Sequence, residues 1–161
     1  NAGVDAASSG DVVETSGTQA AALNFTDTSE ADWPVHGDVL LPYSMDKTVY
    51  FATLDQYKYN PAMIIAASVN MKVTAAADEK ITDISTNADT GLTVTADLGN
   101  GYAITYGQLK EVELNVGDAV SRGEVIGYVS EPTKYYCVEG TNLYLAMTKD
   151  GTPVNPMDFL Q

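Results

Sequence analysis

The chain has one cysteine, Cys137, and one histidine, His36. A single cysteine excludes an internal disulfide. Cys137 reads as a buried or spare thiol, because a catalytic cysteine needs a partner base and His36 is far off in sequence. His36 is the only imidazole available to a metal, and one imidazole does not select zinc, so it reads as a surface or turn residue. Basic residues are also scarce: 8 Lys and Arg face 22 Asp and Glu, for a net charge of −14. That balance excludes a surface that reads nucleic-acid phosphates and disfavours direct adhesion to anionic lipid. No apolar run is long enough to cross a bilayer. No signal-peptide pattern opens the sequence, and the expectation is a mature fragment whose targeting end is not included.

What the chain does have is apolar residues, 45% of 161, enough for one domain with a core. They are arranged in short alternating runs. In Gly99–Val129, Tyr102, Ile104 and Tyr106 alternate with Ala103 and Thr105, the pattern of a half-buried strand. Asn100-Gly101 ahead of them is a tight-hairpin pair. Val112, Leu114 and Val116 alternate next, then Gly117-Asp118 turns. Arg122-Gly123 turns again into Val125, Ile126, Tyr128 and Val129. This spacing predicts three short strands in a compact antiparallel unit.

Residues 1–31 are rich in Ala, Ser, Gly and Thr and read as a flexible acidic linker, with a short helical turn at Ala20–Leu23. The domain is expected over 32–161. Strands are predicted at Val39–Leu41, Met63–Ala67, Lys80–Ser85, Leu92–Ala96 and Leu143–Thr148. Tyr50–Tyr59 reads as irregular, and Ser130–Thr141 as a loop. The class is all-β, built of short antiparallel strands with little or no helix.

Several motifs carry a family resemblance. They are Trp33-Pro34-Val35 with Gly37, Val73–Asp78, Gly99–Tyr102, Thr105-Tyr106 with Leu109, Val116-Gly117-Asp118, Arg122-Gly123-Glu124 with Ile126-Gly127, and Gly151–Pro156. In this order they resemble the LytM or lysostaphin-type M23 zinc endopeptidase domain, over residues 33–160. The resemblance implies a barrel-sandwich hybrid fold, the duplicated hybrid motif, with a groove across one sheet. It also implies one zinc held by the His and Asp of an HxxxD element and the second His of an HxH element, with two further histidines assisting. In this sequence Asn60 and Ile64 stand at the HxxxD positions. Gln108 stands at the lone catalytic His, and Asn142 and Tyr144 at the HxH positions.

All five positions depart from the pattern, and the chemistry of the residues present decides between a working site and a lost one. A catalytic zinc needs three protein ligands and an open position. Ile64 has no lone pair, Asn60 offers a neutral amide, and a tyrosine phenol titrates near pH ~10. Gln108 and Asn142 are neither acids nor bases near neutrality. The reading is therefore a domain without cofactor or catalysis. A polar, aromatic groove is expected, in which Asn60, Tyr106, Gln108, Asn142 and Tyr144 converge and could hold sugar or peptide.

Pro42–Asp46 and Thr53–Tyr57 resemble the stage II sporulation protein Q group of that family. This implies an extracytoplasmic domain on an N-terminal transmembrane anchor, serving as an interaction module in a cell-envelope or sporulation complex. The implied partner is another envelope protein of the stage III sporulation protein AH kind, or peptidoglycan. Two readings within the family stay open, an active zinc endopeptidase cutting peptidoglycan cross-links and a regulator of a cell-wall amidase. A third comes from another class: Asp78-Glu79-Lys80 resembles the lysine turn of lipoyl and biotinyl carriers, although a solvated turn lysine explains Lys80 better.

Overall fold

The structure, a computed structural model, describes residues 23–161. Most of the expected linker, and the turn expected at Ala20–Leu23 except for its last residue, lie outside the described residues. Twelve strands succeed one another in chain order: β1 (Val39–Leu41), β2 (Ser44–Phe51), β3 (Gln56–Asn60), β4 (Ala62–Ala66), β5 (Lys72–Thr74), β6 (Glu79–Asn87), β7 (Gly91–Gly99), β8 (Tyr102–Lys110), β9 (Ala119–Val120), β10 (Val125–Val129), β11 (Asn142–Lys149) and β12 (Thr152–Val154). A 3₁₀ turn, Pro156–Asp158, is the only helical element among the described residues. The all-β expectation stands.

Ten strands form one antiparallel sheet. Its main path runs β1-β4-β11-β8-β7-β6-β9, with β10 joining β5 to β8 and β12 flanking β11; β2 and β3 pair only with each other. Strand β8 is the hub. It pairs with β11 along Tyr102–Gly107 and with β10 at Leu109 and Lys110. The change of partner curls the sheet over its own apolar face. Tyr102, Ile104 and Tyr106 enter the main core as their alternation predicts, beside Met63, Ile65 and Leu145. At the β7–β8 hairpin Asn100 has φ 54° and Gly101 φ 84°. Both are left-handed, as a type I′ turn requires.

Three expectations are corrected. Val112–Val116 alternates but pairs with no strand; residues 111–118 run as an extended loop, with Val112 and Leu114 partly buried against the core. Tyr50–Tyr59 is not irregular: it spans the β2–β3 hairpin, with Tyr50 opposite Tyr57. Of the expected linker, the described part is docked. Phe25 is buried among Tyr102 and Phe159, with ring centroids 5.1 and 5.2 Å away. The Phe25 N–H donates to Leu98 O and the Asn100 side chain to Phe25 O. Ala31 is buried, its N–H donates to Phe159 O, and Gln161 N–H donates back to Ala31 O. This strap fastens the start of the described chain to its end.

A free linker residue contributes nothing to folding stability, whereas a buried phenylalanine does. Phe25→Ala is expected to cost about 3 kcal/mol, read as a lowered urea midpoint. Thr28→Ala on the same strap, where the hydroxyl is exposed, serves as the near-neutral control.

Candidate functional site

Strands β4, β11 and β8 lie side by side, with Tyr144 opposite Ile64 on one flank and Gly107 on the other. Alternation sends Met63, Ile65, Leu143 and Leu145 into the main core. It sends Ile64 and Tyr144 to the opposite face, where the resemblance places a groove. Gly107 is required there: a Cβ on it would come within 2.9 Å of Thr90 Cβ and 3.1 Å of Tyr144 Cβ.

Gln108 would share the core face with Tyr106 in a regular strand. A bulge prevents this. Leu92 pairs with Leu109 but Val94 with Tyr106, so β8 holds one residue more than β7 across this interval. Gln108 has φ 61°, and its side chain is thereby aimed at Asn142. Both amides are fully buried, and they form a relay. Thr133 N–H donates to Gln108 Oε1 at 2.8 Å, Gln108 Nε2 donates to Asn142 Oδ1, and Asn142 Nδ2 donates to Gly140 O at 2.6 Å. Thr133 and Gly140 lie near the two ends of the 130–141 loop, so the relay pins that loop to the sheet. Thr53 on the β2–β3 turn holds it from the other side, bonding Glu139 and accepting from Val138 N–H at 2.9 Å.

The pinned loop covers the face. Tyr136 is buried with Leu41, Phe51 and Ile64 in a second apolar cluster, against which Leu54, Tyr135 and Tyr144 pack. Burial pushes the Tyr136 and Tyr144 phenols above their ordinary range, with nearby ionisable groups adding to the effect.

The expected groove residues therefore separate. Ile64, Tyr144, Gln108 and Asn142 come together. Tyr106 does not: it lies on the core face, fully buried, donating to Glu79 Oε1 at 2.7 Å and accepting from Ala76 N–H at 3.1 Å. Asn60 is buried at the β3–β4 crossing, its Nδ2 donating to Pro42 O and its Oδ1 accepting from Ala62 N–H. His36 and Cys137 are exposed. Lys80 lies within β6 rather than in a turn.

Zinc does not fit these residues. Asn60 has both polar atoms engaged by backbone, Ile64 supplies hydrocarbon to an apolar cluster, and the Tyr144 phenol is held further from ionisation. Among the described residues no group of three His, Cys, Asp or Glu is placed to share a metal ion. The cover was not legible from sequence. Its signal was Tyr135-Tyr136, but nothing local says that these rings fold onto Ile64.

Gln108→Ala removes two bonds of the relay and leaves Asn142 Oδ1 and Thr133 N–H unpaired. It is expected to cost about 2–3 kcal/mol and to speed amide exchange across 131–141 well ahead of β6 and β7, as read by hydrogen exchange.

Comparison with known proteins agrees with this architecture. The sequence model for Peptidase family M23 matches residues 58–156. Stage II sporulation protein Q of Bacillus subtilis (strain 168) is 26% identical over 118 residues, which cover 73% of this chain and 37% of that protein. The chain thus spans little more than a third of that relative's length. Among solved structures, a chain of the SpoIIQ-SpoIIIAH pore forming complex superposes with a TM-score of 0.69 at 21% identity, over 83% of this chain and 92% of that one. Helicobacter pylori Csd3 gives 0.68 at 20% identity, over 83% and 35%. The motif order, the strand topology and the family match over most of the domain have one reading: the chain belongs to peptidase family M23.

Proposed function

We propose that this domain is a non-catalytic member of its family that serves as an extracytoplasmic interaction module in a sporulation envelope complex, held by an N-terminal membrane anchor. The observation that carries the reading is Ile64. At the position of the zinc carboxylate stands a fully buried hydrocarbon, packed under Tyr136 and Phe51. A hydrocarbon packed among aromatic rings at that position supports a face without a metal-bound water. The partner proposed is a protein of the SpoIIIAH kind, supported by the similarity to stage II sporulation protein Q and to a chain of the SpoIIQ-SpoIIIAH pore forming complex.

With the groove closed, docking has to use another surface. Val39, Leu40, Met45, Tyr50, Tyr57 and Tyr59 are all exposed within one stretch of chain, Tyr57 by 73%. Tyr50 and Tyr57 stack at 5.1 Å. The β2–β3 ribbon that carries most of them pairs with no other strand, so its edges offer free backbone groups for strand addition. Its charges balance, Asp46 and Asp55 against Lys47 and Lys58, in a chain of net charge −14. An approaching partner meets the least repulsion here.

The test is direct binding between the purified domain and the extracytoplasmic domain of the SpoIIIAH-type protein from the same organism. Replacing Tyr57 and Tyr59 together by Asp is expected to weaken binding at least about tenfold, since exposed tyrosines are frequent interface anchors. Gln108→Ala, on the covered face, is expected to leave binding within about twofold. Unchanged binding by the double variant contradicts the docking surface; muropeptides shortened by the wild-type domain contradict the non-catalytic reading.

A further inference from the structure

Glu79 is a carboxylic acid inside the core. It is 1% exposed. Oε1 accepts the Tyr106 hydroxyl at 2.7 Å, and Oε2 has no hydrogen-bond partner. An ionised carboxylate accepts several hydrogen bonds, and burying one with a single donor and no cation is costly. Protonated, the group fits its place, because a neutral carboxyl needs far less solvation.

The position is also a seam. Residues 75–81 are laced to 117–124 on both sides of Glu79. On one side Ala75 N–H donates to Glu124 O, Gly123 N–H to Ala75 O and Arg122 N–H to Asp78 Oδ1. On the other, Ile81 N–H donates to Asp118 O and Gly117 N–H to Ile81 O. Between them Glu79 pairs with Val120 on β9. Strand β9 is two residues long and ends the main sheet path, pairing only with β6. A two-residue strand at the end of the path gives up little strand pairing when it detaches.

We infer that Glu79 is a proton-operated latch on β9: with its proton it closes the seam between 75–81 and 117–124, and without it the carboxylate reaches water by releasing that seam. The surrounding charges agree. Tyr106 faces it from β8, and Asp78 beside it adds like charge. Val120 across the seam is apolar. Of the other ionisable groups on the flanking elements, Lys80 is exposed, Arg122 is paired with Asp32 at 2.6 Å, Asp118 and Glu124 bond the Asn115 and Ser121 N–H groups, and Asp97 on β7 bonds Gly99 N–H. Burial, opposed by the Tyr106 hydrogen bond, pushes the Glu79 carboxyl up from 4.5 to about 8. A raised acid favours the closed form while protonated. Its stabilisation is complete below pH 4.5, is lost progressively up to about pH 8, and is constant above.

The experiment combines carboxyl-carbon NMR with hydrogen exchange, corrected for the intrinsic pH dependence of exchange, across pH 5–9. The Glu79 carboxyl is expected to titrate near pH 8. Protection of the Ile81 and Gly117 amides is expected to fall by about tenfold per pH unit until that midpoint, then level off. Glu79→Gln is expected to abolish this slope, and Tyr106→Phe to move the midpoint higher. Titration of Glu79 in the ordinary carboxylate range, or the same slope in wild type and Glu79→Gln, overturns the latch. If Glu79→Gln does not fold, the wild-type titration alone decides. Neither result bears on partner binding through the β2–β3 ribbon.

Discussion

Gln108 and Asn142 are wholly buried amides, and a buried amide that loses a partner costs about 1–3 kcal/mol. Each satisfies the other and then reaches outward to one end of the 130–141 loop. The loop is thus held where Tyr136 packs with Ile64. Polar satisfaction and apolar packing on this face depend on each other. The same positions in a metallopeptidase would need open, charged and hydrated side chains.

On the proposed reading, a partner meets this acidic chain through groups that are neither strongly charged nor already packed. The β2–β3 ribbon meets both conditions: its tyrosines are exposed and its edges are unpaired. The end of the sheet path at β9 carries a different constraint. There Glu79 replaces hydrocarbon in the core and ties the closure of the terminal strand to a proton. One fold thus combines a face sealed by amides with an edge fastened by a carboxylic acid.

Much of the architecture was legible because strand alternation is local. Tyr102, Ile104 and Tyr106 announced their face, and Asn100-Gly101 announced its turn. The same rule misled at Val112–Val116, where side chains alternate but the backbone pairs with no strand. Alternation reports burial, and pairing is decided by distant chain. Tyr50–Tyr59 failed for a related reason: Tyr50, Tyr57 and Tyr59 face solvent while Phe51 is buried, so aromatic character there does not mark the buried face. Of the site, the family motifs gathered Asn60, Tyr106, Gln108, Asn142 and Tyr144 into one groove, with Ile64 at a ligand position; Gln108, Asn142, Tyr144 and Ile64 do come together, and Tyr106 does not. The motifs could not show that a bulge redirects Gln108, that Tyr106 turns inward to Glu79, or that Tyr136 from the 130–141 loop packs with Ile64. Each of these depends on contacts between residues far apart in sequence.

The central claim is that this face is a sealed structural surface and not a metal centre. Zinc content of the domain, purified without chelators and dialysed against micromolar zinc, tests it most directly. The account predicts no stoichiometric zinc, with no change on substituting Asn60 or Tyr144. One tightly held zinc per chain, lost on either substitution, would contradict it.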